Sequence, residues 1–485
     1  MKVFNTLTKN KEELHPRDPG KVSMYVCGPT TYNYIHLGNA RPLIVFDTVR
    51  RYLQYRGYQV TYIQNFTDID DKIINRAHEE GESPKELAEK YIKAYFEDAD
   101  ALHVLRADVH PKVTDHMDEI IQMVQGIMDK GYAYEVNGNV YFDVRNFPPY
   151  GQLSGRDLDE MKSGARVDVD DEKRDPLDFA LWKAAKQGEP SWPSPWGPGR
   201  PGWHIECSAM SLKYLGPGFD IHGGGADLVF PHHENEVAQT EAYTGQPFVR
   251  YWLHNGFITV NEEKMSKSLG NFFLVRDILK KFHPDVVRFY LLSTHYRSPL
   301  DFDDQKLHVA EKGLERIRTS LRLVESTLAL CTKAQDDGQG PDTKELMDKL
   351  EQYKNTFKEA MDDDFNTSLA IAAVFDFCRE VNSFINQSTF KPGKKAIPAL
   401  HKALEIFEDF HSVLGMVKPA AEKEGSSEGI EDKLMEIIIN IRQEARKKKD
   451  WATADVIRDQ LKEAGIVLED TPHGVRWKKL DGGHE

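Results

Sequence analysis

From Lys21 to Val26 apolar and polar positions alternate with a period of two, and Val22, Met24 and Val26 share one face. Successive strand side chains point to opposite faces, so the alternation predicts a short strand, and the Gly28-Pro29 pair behind it predicts a turn. The period then changes. From Asn39 to Tyr55, the residues Leu43, Ile44, Phe46, Val49 and Leu53 recur at helical spacing, and Gly57 ends the run. Tyr58 to Gln64 predicts a second strand. Strand, helix and strand joined at this length are expected to form a parallel pair with a right-handed crossover, the opening of a doubly wound α/β domain.

A helix is expected from Ser83 to about Leu105, after which the pattern loosens. The stretch from about Pro111 to Arg200 carries Gly and Pro turns, ends in Trp192-Pro193-Ser194-Pro195-Trp196-Gly197-Pro198, and reads as an insertion into the α/β domain. Strand-like runs resume at Phe219-Asp220-Ile221 and from Tyr251 to Val260. From about Glu311 the periodicity is helical, broken by a polar loop from Ala334 to Asp342 and a Glu-, Ser- and Gly-rich linker from Pro419 to Gly429. The final segment, Ile430 to about Lys479, predicts a helix pair and two short strands, Ile466-Val467-Leu468 and Val475-Arg476-Trp477.

At 485 residues the chain is too long for one core, and size scaling suggests about three to five units. No run approaches the ~20 apolar residues of a membrane span. Met1 to Gly20 lacks the apolar centre of a signal peptide, so a cytoplasmic chain is expected. Four scattered cysteines, Cys27, Cys207, Cys331 and Cys378, do not make a disulfide framework. The formal net charge of −15 argues against broad affinity for nucleic acid, but a specific RNA can still bind a local basic face.

Three strings carry candidate nucleotide chemistry. His36-Leu37-Gly38-Asn39 opens a predicted helix, where outward N–H groups and the helix dipole favour anions. Gly38 permits close approach to the backbone, and a histidine can donate to a phosphoryl oxygen. Lys264-Met265-Ser266-Lys267-Ser268 suits a loop over a polyphosphate, with lysines acting as point charges. Between them, Gly223-Gly224-Gly225 allow a planar base to approach, and Asp227 can accept from ribose hydroxyls. In this order the first and last strings resemble the HIGH and KMSKS signatures of class I aminoacyl-tRNA synthetases. Leu37 and Asn39 depart from the first signature, and Asn39 in place of histidine gives up the option of positive charge.

A second constellation has the donor types of a metal site. In Phe230-Pro231-His232-His233-Glu234-Asn235-Glu236, His232 and Glu236 stand four apart, with His233 a competing ligand. Cys207 lies in Trp203-His204-Ile205-Glu206-Cys207, and Cys27 ends the first strand. A parallel sheet brings the carboxyl ends of its strands to one edge, where these donors can meet. The residues alone leave open whether the thiols are ligands or buried core residues; two Cys, one His and one Glu would favour zinc.

These segments, with Asn65-Phe66-Thr67-Asp68-Ile69-Asp70-Asp71-Lys72, Met361-Asp362-Asp363-Asp364-Phe365-Asn366-Thr367 and Ala445-Arg446, resemble those of cysteinyl-tRNA synthetases over nearly the whole chain. The resemblance implies one zinc per subunit on Cys27, Cys207, His232 and Glu236, and magnesium accompanying ATP. It implies catalytic roles for His36, Asn39, Lys264 and Lys267, ATP contacts from Gly38, Gly224, Asp227 and Lys267, and a cysteine pocket with Thr67 and Trp203. Anticodon contacts are implied for Arg446, Trp451, Asp455 and Asp470, with Trp477 packing nearby; Arg446-Lys447-Lys448-Lys449-Asp450-Trp451 is the densest basic run and carries a ring for stacking. The implied partners are tRNA(Cys), ATP and L-cysteine, with no membrane and a monomeric chain. The implied architecture is a Rossmann-like catalytic domain in two halves (1–110 and 201–256) around an insertion (111–200). A KMSKS-bearing stem-contact region (257–310), a helical bundle (311–420) and a small α+β anticodon-binding domain (430–485) follow. Two rivals share the catalytic half: a ligase passing cysteine to a small amine, which lacks the last domain, and an inactive RNA-binding paralogue.

Overall fold

The computed structural model describes residues 1–157, 172–260, 263–264, 273–340, 342–419, 430–471 and 474–479. The chain divides into two compact units. The first holds Met1–Leu314, Asn355–Ala373 and Ser412–Met416, and the second Glu315–Lys354, Val374–His411 and Val417–Glu485.

In the first unit, β1 (Lys21–Val26), α1 (Leu37–Tyr55) and β2 (Gln59–Gln64) form the expected strand, helix and strand. Later come α2 (Trp203–Leu215), β3 (Phe219–Gly225), α3 (Glu234–Thr244) and β4 (Val249–Asn255). The sheet order is β4-β3-β1-β2 and every pairing is parallel. Val26 therefore faces Gly223, and Asn255 faces Gly225, which gathers the carboxyl ends at one edge. The segment from Ala133 to Pro201 contributes a four-stranded antiparallel sheet. Its Val140, Phe142 and Trp182 belong to the same buried cluster as Tyr25, Ile205, Cys207 and Trp252. The inserted segment thus completes the apolar floor under the sheet edge.

One expected helix ends early with an unpredicted helix ahead of it, and one expected strand run is divided. The expected helix after Ser83 is Pro84–Ala101, capped by Ser83 with Glu86, and Asp71–Glu80 forms a separate helix that ends at a left-handed Gly81. The run Tyr251 to Val260 breaks at Gly256: its N–H donates to Tyr296 O (2.8 Å), and a Cβ there would lie 2.5 Å from Ser298 O. Beyond the break, Ile258–Val260 pairs with Glu263–Lys264 and with Leu300–Asp301.

In the second unit, the helices around Phe377 pack its ring edge-on against Phe407 and Phe410. Its C-terminal part is the expected helix pair, Ile430–Lys447 and Trp451–Glu463, followed by the antiparallel hairpin Ile466–Thr471 and Gly474–Lys479. The predicted linker from Pro419 lies, from 420 to 429, outside the described residues. Among the described residues no helix is long and apolar enough to cross a membrane.

One buried ion pair ties α1 to the helix Pro284–Leu292. Arg288 Nη2 donates to Asp47 Oδ2 at 2.6 Å, with both side chains at most 1% exposed, and Leu105 N–H and Arg51 Nε also donate to that carboxylate. Asp47→Ala leaves Arg288 buried without its anion and is expected to cost about 3–5 kcal/mol. Urea unfolding would read this as a lowered midpoint of the transition that reports the first unit.

Candidate active site and metal centre

A cavity of about 340 Å³ opens at the carboxyl edge of the sheet. Its walls include Cys27, Gly28, His36, Gly38, Asn39, Trp203, Gly224, Asp227 and the stretch Asn255–Ile258. The N-terminal end of α1, at His36, Gly38 and Asn39, forms part of the wall, where the helix dipole favours an anion. His36 is the N-cap: its Nδ1 accepts from Asn39 N–H (3.3 Å), and Asn39 Oδ1 accepts from His36 N–H (3.2 Å). The residue that departs from the histidine signature therefore closes a capping box and holds His36 in place. Just before and just inside the helix, Ile35 O accepts from Val275 N–H (3.1 Å) and Leu37 N–H donates to Phe273 O (2.9 Å).

The glycines are demanded by the protein itself. A Cβ on Gly28 would lie 1.7 Å from Asn65 O, and one on Gly224 would lie 2.8 Å from the His233 ring.

Beside the cavity, two sets of donor atoms lie within 4.8 Å of one another: Cys27, Cys207, His232 and Glu236, and Cys27, His222, His233 and Glu236. Cys27 sits on the turn after β1, Cys207 on α2, His222 on β3 and Glu236 in the first turn of α3. Gln239 Nε2 pins α3 to α2 by donating to His204 O (2.9 Å) and Ser208 Oγ (2.8 Å). The Cys27 thiol donates to Cys207 Sγ (3.7 Å), and Glu236 accepts from His222 Nε2 (2.8 Å) and His232 Nε2 (3.0 Å). The electrostatics follow. The hydrogen bond from Cys27 holds Cys207 down to about 6 against its burial, while burial pushes Cys27 up. Burial acts to raise Glu236, yet His222 and His232 hold it down to about 2. Burial acts to lower His232, yet Glu236 and Cys207 raise it to about 10. The cluster thus sets two groups held toward their anionic forms against one held toward its cationic form, and a metal cation binding there would displace the histidine proton.

Sequence reasoning found His232 and Glu236 by their spacing, with His233 as the competitor, but missed His204 and His254 behind them. His204 Nδ1 lies 2.9 Å from His232 Nδ1, and His233 Nδ1 lies 2.7 Å from His254 Nε2, which in turn reaches Thr6 Oγ1 through its Nδ1 (2.8 Å). These contacts join positions up to 248 residues apart, and no local pattern announces them. Trp203, 38% exposed, sets its ring 4.3 Å from that of His232 at the cavity wall. Thr67 is buried, and its hydroxyl donates to Glu206 Oε2 (2.9 Å).

Lys264 lies on the strand Glu263–Lys264, and Lys267 lies outside the described residues. Arg446 and Trp451 flank the tight connection between the last two helices, where Lys449 is left-handed (φ 62°) and Asp450 caps the second helix. Trp451 is 56% exposed. Asp455 is exposed and paired with Arg458 (3.0 Å), and Asp470 lies on the hairpin.

The fold recurs in solved structures. The Mycobacterium tuberculosis methionyl-tRNA synthetase in complex with methionyl-adenylate superposes with a TM-score of 0.62 at 15% identity, over 81% of this chain and 92% of that one. A putative arginyl-tRNA synthetase from Campylobacter jejuni superposes at 0.56 with 14% identity, over 82% and 93%. At such identities the likeness is one of fold. Residues 13–312 match the model for the tRNA synthetases class I (C) catalytic domain, which defines the class. Residues 356–418 match the DALR domain, and residues 436–477 match the cysteinyl-tRNA ligase anticodon binding domain. Cysteine–tRNA ligases of Pelotomaculum thermopropionicum and Desulforamulus reducens are each 62% identical over 99% of this chain and 100% of theirs, and that of Clostridioides difficile is 52% identical. The chain belongs to the cysteine–tRNA ligase family.

The donor chemistry separates the two metal sets. Two sulfurs, a histidine and a carboxylate suit zinc better than the set with one sulfur. Both histidines are held through Nδ1 by another histidine, His232 by His204 and His233 by His254. It is therefore the sulfur count and the shorter approach of His232 to Glu236 (3.0 Å against 3.8 Å) that favour the first set. His232→Ala is expected to lose stoichiometric zinc and His233→Ala to retain most of it, as measured by elemental analysis after dialysis.

Proposed function

We propose that the protein activates L-cysteine with ATP to cysteinyl-adenylate and transfers the cysteinyl group to the 3′ end of tRNA(Cys). One observation carries this reading. Cys27 belongs to the metal-binding cluster and also lines the cavity at the first turn of α1. A substrate thiol held at the cluster would have its carboxylate directed toward an α-phosphate at that turn.

The donor set fits zinc, held by Cys27, Cys207, His232 and Glu236. When bound, zinc supplies a soft site that takes a thiolate far better than the hydroxyl of serine. The remaining work falls to the chain. Gly38, Gly224 and Asp227 cradle the nucleotide, with Asp227 on the ribose hydroxyls, and Trp203 covers the amino acid. A cysteine carboxylate oxygen bonds to the α-phosphorus, and the bond to pyrophosphate breaks. His36 and the lysines Lys264 and Lys267 stabilise the departing polyphosphate, which magnesium accompanies. The terminal ribose oxygen of the tRNA then bonds to the carbonyl carbon and AMP leaves. Positioning supplies most of the rate.

The match over 436–477 supports a tRNA rather than a small amine as acceptor, with Arg446, Trp451, Asp455 and Asp470 reading the anticodon. The domains proposed are the catalytic halves 1–110 and 201–256 around the insertion 111–200, then 257–310, 311–420 and 430–485, and the chain acts as a cytoplasmic monomer.

Cysteine-dependent ATP–pyrophosphate exchange is the direct test. Exchange is expected with cysteine and not with serine, and Cys207→Ala should abolish it together with zinc. Equal exchange with both amino acids would sink the selector role. For the RNA end, Trp451→Ala should leave exchange intact and weaken tRNA binding by about 1–3 kcal/mol, the worth of one stacked base; an unchanged KM for tRNA would remove Trp451 from the interface.

A further inference from the structure

Arg41 lies in the second turn of α1, directly after the residues that cap the cavity, and its side chain is fully buried. A buried guanidinium is expensive unless its charge and its donors are satisfied. Among the described residues no carboxylate pairs with it. Its acceptors are main-chain carbonyls: Nη1 donates to Gly256 O (2.9 Å) and Phe257 O (2.8 Å), and Nη2 donates to Ser298 O and His295 O (3.5 Å). Burial pulls the guanidinium down to about 10, so it remains a cation at neutral pH.

Those carbonyls are not ordinary surface groups. Gly256 and Phe257 are cavity wall, at the point where β4 breaks and the chain turns toward Ile258–Val260. The turn that carries His295 and Ser298 is itself pinned. Asp364, fully buried and left-handed (φ 64°), accepts from Tyr296 Oη (2.8 Å), Arg297 Nε (2.7 Å) and Phe4 N–H (2.8 Å). A rigid path of hydrogen bonds thus runs from Asp364 through the turn to Arg41 and on to the cavity wall.

We propose that Arg41 is a positioning residue for the nucleotide step: its planar fork holds the Gly256–Phe257 wall in register with the first turn of α1. The proposal deepens the functional reading above and rests on the cavity being the ATP site. Lysine cannot replace the fork, because one ammonium cannot span Gly256, Phe257 and the turn at Ser298 together. A role confined to folding would lower stability and leave the kinetics of the folded enzyme unchanged.

The test compares wild type, Arg41→Lys, Arg41→Met and Asp364→Asn in ATP–pyrophosphate exchange with cysteine, alongside melting temperature and zinc content. Asparagine is isosteric with aspartate and tolerates the left-handed backbone, so Asp364→Asn loosens the turn without refolding it. Folded Arg41→Lys is expected to keep its zinc and its KM for cysteine. Its kcat should fall on the order of 10- to 100-fold, since misplacement by 1 Å can cost about that much, with a raised KM for ATP. Asp364→Asn should move the same two parameters by less. Wild-type kcat and KM for ATP in folded Arg41→Lys or Arg41→Met would overturn the proposal, as would a change confined to zinc content or to the KM for cysteine. If neither Arg41 variant folds, Asp364→Asn decides, and wild-type kinetics there overturn it. Absence of exchange in the wild-type enzyme would instead defeat the functional reading, and the proposal with it.

Discussion

A fully buried carboxylate must be compensated from within the protein, and Glu236 sets that demand at the centre of the first unit. It is met by His222 on β3 and His232 ahead of α3, and the Cys27 sulfur on the turn after β1 lies 3.5 Å from it. Each donor comes from a different element, so the cluster forms only when β1, β3 and α3 are in register. The parallel pairing of Val26 with Gly223 places Cys27 correctly, and the hydrogen bonds of Gln239 place Cys207 on α2. Cluster and sheet edge therefore assemble together, and a metal cation bound there would neutralise charge that the fold has already concentrated.

Around this centre, polar groups stand on apolar support. His222 stacks on Trp252 (4.5 Å between rings), and Trp252 belongs to the same buried cluster as Phe142 and Trp182 of the inserted segment. The insertion thus contributes to the floor of the site as well as to its own sheet. On the other side of the cavity, capping of α1 by His36 and Asn39 fixes the first helical turn without a charged group. One wall consequently carries the donors for a soft cation, and the facing helix end suits an anion.

Local pattern revealed much of this architecture. The alternation at Val22, Met24 and Val26 and the helical spacing from Leu43 to Leu53 are written in consecutive residues, and so is the spacing of His232 and Glu236. The break at Gly256 was not legible, because it arises from contact with Tyr296 and Ser298, about 40 residues on. The tie of the Thr67 hydroxyl to Glu206, a partner 139 positions away, was likewise not legible. Arg41 gave no signal at all, since an arginine in an amphipathic helix is ordinarily a solvated residue.

What the sequence by itself determined was the set of elements, the chemical types of the donors and their order along the chain. These follow from periodicity, turn chemistry and residue identity, all of which act over a few positions. Only the tertiary structure decided which histidines stand behind the cluster, which glycines are required by close approach, and that a buried arginine holds the cavity wall. Those outcomes depend on the space left when separate elements pack at interior density, and that space is a property of the assembled fold rather than of any segment.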